Sequence, residues 1–323
     1  MKDEIILEIK NLKTYFYTYE GVAKAVDGVS YQLAKGEPLG VVGESGCGKS
    51  VTALSILRLI PVPPGKIAGG EILYNGKNLL ELTEDEMRKI RGNRISMIFQ
   101  EPMTSLNPVF TVGNQIEETF KLHQGLSKKE ALEKSIEMLR LVNIPSPEKA
   151  AERYPHELSG GQRQRIGIAR ALALNPKLII GDEPVSALDV SIQAQVINLL
   201  EDIQKEFTLS YMIIAHDLAV VEHVCDRIAV MYLGRIVELA KDRELYTSPL
   251  HPYTVALLSA IPVPDPNITK KRIVLEGDVP SPMRPPMGCH FHTRCPRKKE
   301  VCERTIPELR EIKESHFVAC HLS

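Results

Sequence analysis

The pattern of hydrophobic and polar positions divides the first part of the chain into strands and helices. Apolar and polar residues alternate over residues 5–40, in IILEIKNLKTYFY and then VAKAVDGVSYQL, with a turn at 35–37. A period of two predicts antiparallel strands. A short apolar strand at 38–42 leads directly into a glycine-rich segment and a helical pattern, and Asn75-Gly76 predicts a hairpin. Between 111 and 141 the spacing is helical until prolines end it.

Further along, strand and helix patterns alternate. Residues 178–182 and 211–217 are apolar enough for strands buried on both faces, and residues 191–207 between them form an amphipathic helical pattern. This alternation predicts an α/β fold with a largely parallel sheet, whose ligands bind beyond the carboxyl ends of the strands. After about residue 246 prolines become frequent, which indicates a separate module.

Composition narrows the possible functions. The chain has 323 residues, of which 43% are hydrophobic, enough for one large domain and an appendage. Its 40 basic and 41 acidic residues give a net charge of -1, which argues against a large nucleic-acid interface. We find no apolar run of about 18 residues and no signal-peptide pattern, so any membrane role is expected to come through a partner.

Residues 43–50, GESGCGKS, match the phosphate-binding motif G-x-x-x-x-G-K-[ST], and they lie between a strand and a helix as that motif requires. Glycines let the backbone wrap closely around phosphates, so that N–H groups and the helix N-terminus face them. Lys49 is expected to reach the β- and γ-phosphates and Ser50 to bind Mg²⁺. A chance glycine turn before a helix is the alternative. The predicted nucleotide contacts here are Gly43, Ser45, Gly46, Cys47, Gly48, Lys49, Ser50 and Val51.

Two carboxylates follow four apolar residues in LIIGDE, at 178–183. In a phosphate-binding protein the end of a neighbouring buried strand is where a magnesium site is expected. Asp182 is predicted to hold the Mg²⁺ shell, and Glu183 to orient or deprotonate the attacking water. An ordinary acidic strand end is the alternative.

The sequence LSGGQ at 158–162 begins a helix, RQRIGIARALAL. Ser159, Gly160 and Gly161 would present a hydroxyl and bare N–H groups at a helix N-terminus, which suits a γ-phosphate. This segment, with Gln162, resembles the signature sequence of the ATP-binding-cassette (ABC) ATPases. The base-reading N-K-x-D of GTPases is absent from the sequence.

The resemblance covers residues 5–245 and implies an architecture. It is a P-loop (RecA-like) nucleotide-binding core with an antiparallel β edge subdomain, an inserted α-helical subdomain at about 101–165, and a C-terminal extension. It also implies that two such subunits hold two ATP molecules head to tail, each P-loop facing the signature segment of the other subunit.

Further roles are implied by the same resemblance. Gln100 matches the Q-loop glutamine that contacts Mg²⁺ or water. Residues 186–189, ending in Asp189, match the D-loop at the dimer interface, and His216 matches the switch histidine that contacts the γ-phosphate. An aromatic ring upstream of the P-loop is expected to stack on adenine; Phe16 fits best, and Tyr15, Tyr17 and Tyr19 are alternatives.

The C-terminal part resembles one branch of the family. Residues 248–258 (SPLHPYTVALL), 277–282 (GDVPSP) and 288–296 (GCHFHTRCP) are similar to the extension of dipeptide and oligopeptide importer ATPases, a branch that includes nickel importers. We therefore expect an ATPase domain at 1–247 and an extension at 248–323. The resemblance implies membrane permease subunits, a second ATPase that is identical or paralogous, an extracellular peptide-binding protein, and a peripheral location on the cytoplasmic face of the membrane.

Four cysteines are concentrated in the extension with the spacing C-x5-C-x6-C-x17-C. Four thiolates close either a structural Zn²⁺ site or an iron–sulfur cluster. These wide spacings favour a [4Fe–4S] cluster, which the branch resemblance also implies. Zinc, with a histidine as substitute ligand, and unligated thiols remain alternatives. The four are Cys289, Cys295, Cys302 and Cys320, and the basic residues Arg294, Arg297, Lys298 and Lys299 are candidates to offset a cluster's negative charge.

The sequence therefore predicts an ATP- and Mg²⁺-dependent importer ATPase for peptides, with nickel as the alternative cargo. Two rivals belong to other classes. One is a soluble ABC ATPase acting on ribosomes or DNA, and the other is an iron–sulfur electron-transfer or sensing protein that ATP regulates.

Overall fold

The computed structural model describes residues 4–101, 105–186, 188–261 and 272–323. They form two compact units. One is built mainly from residues 81–214 with the short segment 34–37, and the other from residues 5–33, 38–80 and the described part of 215–323. The expected boundary between residues 247 and 248 stays a prediction, as do the limits of the helical subdomain.

The described strands and helices follow the alternation that the sequence predicts. The strands are β1 (Ile5–Thr18), β2 (Gly21–Ala34), β3 (Pro38–Val42), β4 (Gly65–Tyr74), β5 (Lys77–Asn78), β6 (Ile95–Ile98), β7 (Leu178–Asp182), β8 (Ser210–Ala215), β9 (Arg227–Tyr232), β10 (Arg235–Lys241), β11 (Arg310–Lys313) and β12 (His316–Val318). The α-helices are α1 (Lys49–Ile56), α2 (Glu84–Ile90), α3 (Val112–Gln124), α4 (Lys128–Leu141), α5 (Pro147–Glu152), α6 (Gly160–Leu172), α7 (Val190–Phe207), α8 (Leu218–Val224), α9 (Asp242–Thr247), α10 (Pro252–Ser259) and α11 (Glu300–Arg304).

The N-terminal strands form the predicted antiparallel sheet, in the order β2-β1-β4-β5. Leu7 lies opposite Tyr74, and Phe16 opposite Gly65. Asn75 and Gly76 both have positive φ angles, of 48° and 78°, which a two-residue hairpin turn requires. The alternating pattern and the Asn-Gly signal were therefore sufficient to predict this sheet.

The same unit contains a second set of paired strands around β3. β3 pairs in parallel with β9, β9 and β10 are antiparallel, and β12 pairs with β10 and β11. β11 and β12 have four and three residues, too short to produce a readable alternation. The C-terminal extension thus adds β11 and β12 to the set of paired strands that includes the P-loop strand, which the sequence did not indicate.

A buried carboxylate attaches the extension to β10. Glu238 and His316 are both fully buried, and His316 Nε2 donates to Glu238 Oε1 over 2.7 Å. The two carboxylate oxygens also accept from the backbone N–H of Leu250 (2.7 Å) and of His251 (3.0 Å). Because a buried carboxylate without such partners is costly, this one fixes the start and the end of the extension together.

The other unit carries the strands β6, β7 and β8, which are parallel to one another. Its helices α3 and α4 confirm the helical pattern between 111 and 141. Thr111 caps α3, and Ser127 caps α4 through a reciprocal capping box with Glu130. These caps satisfy N–H groups that a helix N-terminus otherwise leaves open.

In the parts of the chain that the structure describes, no helix is long and apolar enough to cross a membrane.

Candidate functional site

The P-loop is shaped by glycines that lie against neighbouring main chain. A Cβ atom on Gly43 would stand 2.1 Å from the carbonyl oxygen of Met231, and one on Gly48 would stand 2.2 Å from that of Ala25. Gly48 also has a φ of 106°, which side chains disfavour. The loop therefore follows a path that only glycine permits at these points, immediately before the N-terminus of α1.

Lys49 is held inside this loop. Its side chain is 5% exposed, and its Nζ donates to the carbonyls of Gly43 (2.7 Å) and Glu44 (3.1 Å). Cys47 is buried beside it, and burial raises the pKa of the Cys47 thiol, while the charge of Lys49 lowers it to a lesser extent. Cys47 thus fills the loop as a neutral thiol, and the Lys49 ammonium lies inside the loop against its carbonyls.

Glu44, the second residue of the P-loop, contacts the C-terminal extension. The Arg294 guanidinium makes a two-pronged ion pair with its carboxylate, at 2.7 and 3.3 Å. The backbone N–H of Glu44 donates to the hydroxyl of Tyr253 in α10 over 2.9 Å. The sequence did not point to Glu44 or Tyr253, and it suggested Arg294 as a residue that offsets the charge of a cluster. Contacts between residues about 200 to 250 positions apart leave no local sequence pattern.

Gln100 and Glu183 are in direct contact. One residue separates Gln100 from the end of β6. The Nε2 of Gln100 donates to Glu183 Oε2 over 3.0 Å. Glu183 directly follows Asp182, the last residue of β7, and has a left-handed φ of 45°. Its N–H donates to the carbonyl of Ile214 in β8 (2.9 Å), and such over-determined strain is common at functional positions. The parallel strands thus bring together the predicted Q-loop glutamine and general base.

The signature segment is an exposed helix N-terminus. Ser159 caps α6: its hydroxyl accepts from the Gln162 N–H (3.3 Å), and Gln162 Oε1 accepts from the Ser159 N–H (3.1 Å). Ser159 and Gly160 are exposed. At Gly161, a Cβ would stand 2.7 Å from Ile192 in α7. The segment therefore presents a hydroxyl and open N–H groups outward, as an anion site requires.

Two further predicted residues also lie at the ends of elements. Asp189 is the N-cap residue of α7, and His216 follows β8 directly and is exposed. Ala187, in the predicted D-loop, lies outside the described residues.

The aromatic candidates for adenine differ in how free their rings are. Tyr15 donates its hydroxyl to Asp27 Oδ1 (2.6 Å), and Asp27 Oδ2 accepts from Arg235 (2.8 Å). Burial and the hydrogen bond to Asp27 raise the pKa of Tyr15 to about 12. Tyr19 is fully exposed at the β1–β2 turn, and Phe16 is half-buried in β1. Tyr15 is thus engaged in structure, whereas Phe16, Tyr17 and Tyr19 remain candidates.

Comparisons with known proteins agree with this geometry. Residues 26–186 match a family model described as ABC transporter, and residues 237–302 match one described as Oligopeptide/dipeptide transporter, C-terminal region. The oligopeptide transport ATP-binding protein AppF of Bacillus subtilis is 54% identical, over 99% of this chain and 98% of the relative. The chain belongs to the ABC transporter ATP-binding proteins.

Two more similarities place this ABC protein within its family. The oligopeptide transport ATP-binding protein AppD of Bacillus subtilis is 49% identical, over 98% of this chain and 96% of the relative. The dimeric, ADP- and phosphate-bound cassette MJ0796 aligns with a TM-score of 0.66 and 29% identity, over 73% of this chain and 99% of that structure. The protein is thus an ATPase of the ABC type, and ATP and Mg²⁺ are the ligands typical of this family.

The metal site expected at the four cysteines of the extension receives no support from the structure. Among the described residues, no group of three or more His, Cys, Asp and Glu side chains is arranged to hold a metal ion. Cys302 and Cys320 are buried, and all four are free thiols. Burial, with smaller contributions from the other three cysteines, raises the pKa of Cys289 to about 11. Neither zinc nor an iron–sulfur cluster therefore receives support from the arrangement of these four thiols.

Arg294 also differs from its expected role. It faces the carboxylate of Glu44, and the hydrogen bond to Glu44 raises the pKa of Arg294. Its charge is thus compensated by the P-loop and does not serve to offset a cluster.

Proposed function

We propose that this ABC ATPase supplies the energy for an importer of dipeptides or oligopeptides. The main support for this function is the similarity to AppF over nearly the whole of both chains, which includes the C-terminal extension. A shared ATPase core is common to many transporters, but the match of residues 237–302 is specific to the oligopeptide and dipeptide branch. Nickel is the alternative cargo of the same branch.

The proposed mechanism uses two subunits. Each P-loop would hold one ATP, with Lys49 on the β- and γ-phosphates, and Ser50 and Asp182 would hold Mg²⁺. Glu183 orients or deprotonates the attacking water, and Gln100, already hydrogen-bonded to Glu183, links this centre to the metal shell. His216 donates to the γ-phosphate as its charge grows. Ser159, Gly160, Gly161 and Gln162 of the partner complete the site, with Asp189 at the interface and Phe16 or Tyr19 on adenine.

For the partners, we propose transmembrane permease subunits that bind the cassette at the cytoplasmic face of the membrane, and an extracellular peptide-binding protein. The second ATPase is either a copy of this chain or a paralogue. Two different proteins of one organism, AppF and AppD, resemble this chain at 54% and 49% identity, which favours a paralogue.

The role of Glu183 is tested by Glu183→Gln. The amide keeps the size and the contact with Gln100 but cannot accept a proton, so hydrolysis is expected to fall at least about a hundredfold. ATP then accumulates in a stable dimer, measured by size-exclusion chromatography with and without ATP. Wild-type hydrolysis by this variant would remove Glu183 from the mechanism.

Transport is tested in a strain that lacks this gene and requires one amino acid for growth. Growth on a peptide that contains this amino acid is expected to need the wild-type gene and to fail with Glu183→Gln, while growth on the free amino acid is unaffected. Restored Ni²⁺ uptake without restored peptide use would establish the nickel alternative. Co-sedimentation with ribosomes, and no effect on either cargo, would favour the ribosomal alternative.

For the four cysteines, we propose a [4Fe–4S] cluster as a structural cross-link. The four cysteines would supply the four thiolates that hold such a cluster. When bound, the cluster would tie four points of the extension together. Iron and sulfide in anaerobically purified protein are the expected result; one zinc per chain, or no metal, would reject the cluster.

A further inference from the structure

The entry to the P-loop is held at two points by the C-terminal extension. Arg294 pairs with the Glu44 carboxylate through both terminal nitrogens, and its side chain is only 9% exposed, against 28% for Glu44. Tyr253 accepts the Glu44 N–H. Two-pronged, charge-assisted pairs of this kind fix orientation as well as distance. Both Arg294 and Tyr253 lie outside the part of the chain that matches the ABC transporter model, residues 26–186.

The groups that hold Glu44 belong to one buried aromatic cluster. Tyr253 meets Tyr232, the last residue of β9, edge-on at 4.8 Å between ring centroids. Phe291, three residues before Arg294, packs against Tyr232 at 5.2 Å and against Tyr253 at 5.4 Å. All three rings are at most 1% exposed. The extension therefore reaches Glu44 through packed groups and not through a mobile surface chain.

Glu44 is connected in turn to the phosphate-binding lysine. Its carbonyl accepts from Lys49 Nζ at 3.1 Å, so a displacement of Glu44 changes one of the contacts that place Lys49. Its carboxylate also puts a negative charge into a loop that must hold a triphosphate. Arg294 compensates this charge, and without it the carboxylate would repel the phosphates.

We propose that Arg294 and Tyr253 are positioning residues for ATP binding: through them, the C-terminal extension sets the affinity of the P-loop for nucleotide. They act on Glu44 and do not touch the nucleotide. The extension is then part of the ATPase machinery in this chain and not only an attachment.

The experiment compares Arg294→Gln with the double variant Glu44→Gln/Arg294→Gln, in full-length protein. We expect Arg294→Gln to raise the KM for ATP about tenfold, with kcat changed much less, because a charge-assisted contact to the loop is lost. In the double variant the uncompensated carboxylate is gone, so its KM should return to within about threefold of wild type. Tyr253→Phe, which keeps the ring, should raise KM about threefold.

The matched control is Lys313→Gln, which removes another cation of the extension from an ion pair with a carboxylate, that of Glu244 at 3.0 Å. It should leave the KM for ATP unchanged. Thermal unfolding of each variant shows whether it is folded, and Tyr253→Phe tests the idea even if Arg294→Gln does not fold. An equal KM for Arg294→Gln and the double variant would mean that Arg294 only supports the fold. Unchanged KM values in Arg294→Gln and Tyr253→Phe would also overturn the proposal.

Discussion

The P-loop and the signature segment are both glycine-containing junctions that begin a helix, but their surroundings differ. In the P-loop, Gly43 and Gly48 lie against main-chain carbonyls that leave no room for a Cβ, and Lys49 is buried with its donors already engaged. In the signature segment, Ser159 and Gly160 are exposed. Of the residues that the structure describes, a Cβ on Gly160 would meet only Leu188, whose side chain lies 3.7 Å away.

This difference indicates that the two junctions contain glycine for different reasons. At Gly48 the fold of the chain itself requires one. At Gly160 nothing in the described part of the chain does, so the small residue is explained best by an approach from outside. An exposed helix N-terminus with open N–H groups attracts an anion, and in the proposed dimer that anion is the γ-phosphate bound by the other subunit.

The strongest test of this difference is the pair of substitutions Gly48→Ala and Gly160→Ala. At Gly48 the new Cβ would collide with the Ala25 carbonyl at 2.2 Å. We expect Gly48→Ala to lower the free energy of unfolding by about 3 kcal/mol and ATP affinity by about a hundredfold, or about 2.7 kcal/mol. Gly160→Ala should keep the ATP affinity and the stability, and the stability should rise by up to about 1 kcal/mol because alanine has the higher helix propensity. The variant should nevertheless lose ATP-dependent dimerisation.

Denaturant unfolding, nucleotide titration and size-exclusion chromatography measure these three quantities. If Gly160→Ala weakened ATP binding by the separate subunit as much as Gly48→Ala does, both glycines would be required by the same nucleotide site within one subunit.

A smaller effect distinguishes the two roles of Ser159, which caps α6 and is proposed to contact the nucleotide of the other subunit. Ser159→Ala removes the side-chain cap and should cost about 1 kcal/mol of stability. It also removes the hydroxyl offered to the other subunit, so hydrolysis should fall about tenfold, or about 1.4 kcal/mol, at unchanged ATP affinity. Ser127→Ala is the matched control, because Ser127 forms the same capping box with Glu130 at α4. Equal losses of hydrolysis in both variants would mean that only helix stability matters.

Local patterns were sufficient where the structure depends on neighbouring residues. Alternation predicted the N-terminal sheet, and Asn75-Gly76 its hairpin. The strand-to-glycine-to-helix order predicted the P-loop, and the LSGGQ segment at 158–162 predicted the start of α6. The contact between Gln100 and Glu183 followed from two parallel strands that end on the same side.

Long-range contacts were not predictable in this way. Glu44 and Arg294 are 250 residues apart, and a composition of Arg and Lys beside cysteines suggested a different task for Arg294. Glu238 and His316, 78 residues apart, carry no motif either. The cysteine spacing was informative about number and type of donor, but it does not determine whether donors converge, which depends on the packing of each thiol.

A pH-dependent effect concerns the buried support of the P-loop. His251 caps α10, the helix of Tyr253, by accepting the Tyr253 N–H at its Nδ1 (3.1 Å). Burial lowers the pKa of His251 to about 3, so the folded protein keeps it neutral. The unfolded chain binds a proton near pH 6.5. Stability from this group is therefore complete above that pH and decreases as the pH falls towards 3.

The comparison is wild type against His251→Asn, whose side chain also caps helices but does not titrate. Between pH 7 and pH 5, wild type should lose about 2 kcal/mol more unfolding free energy than the variant, measured by urea denaturation. Both proteins keep every other side chain, Glu238 and His316 included, so the difference isolates His251. The exposed cap at Ser159 contains no titrating group, and its contribution should not change over this range. Parallel pH curves for wild type and variant would show that this histidine is not held neutral behind the P-loop.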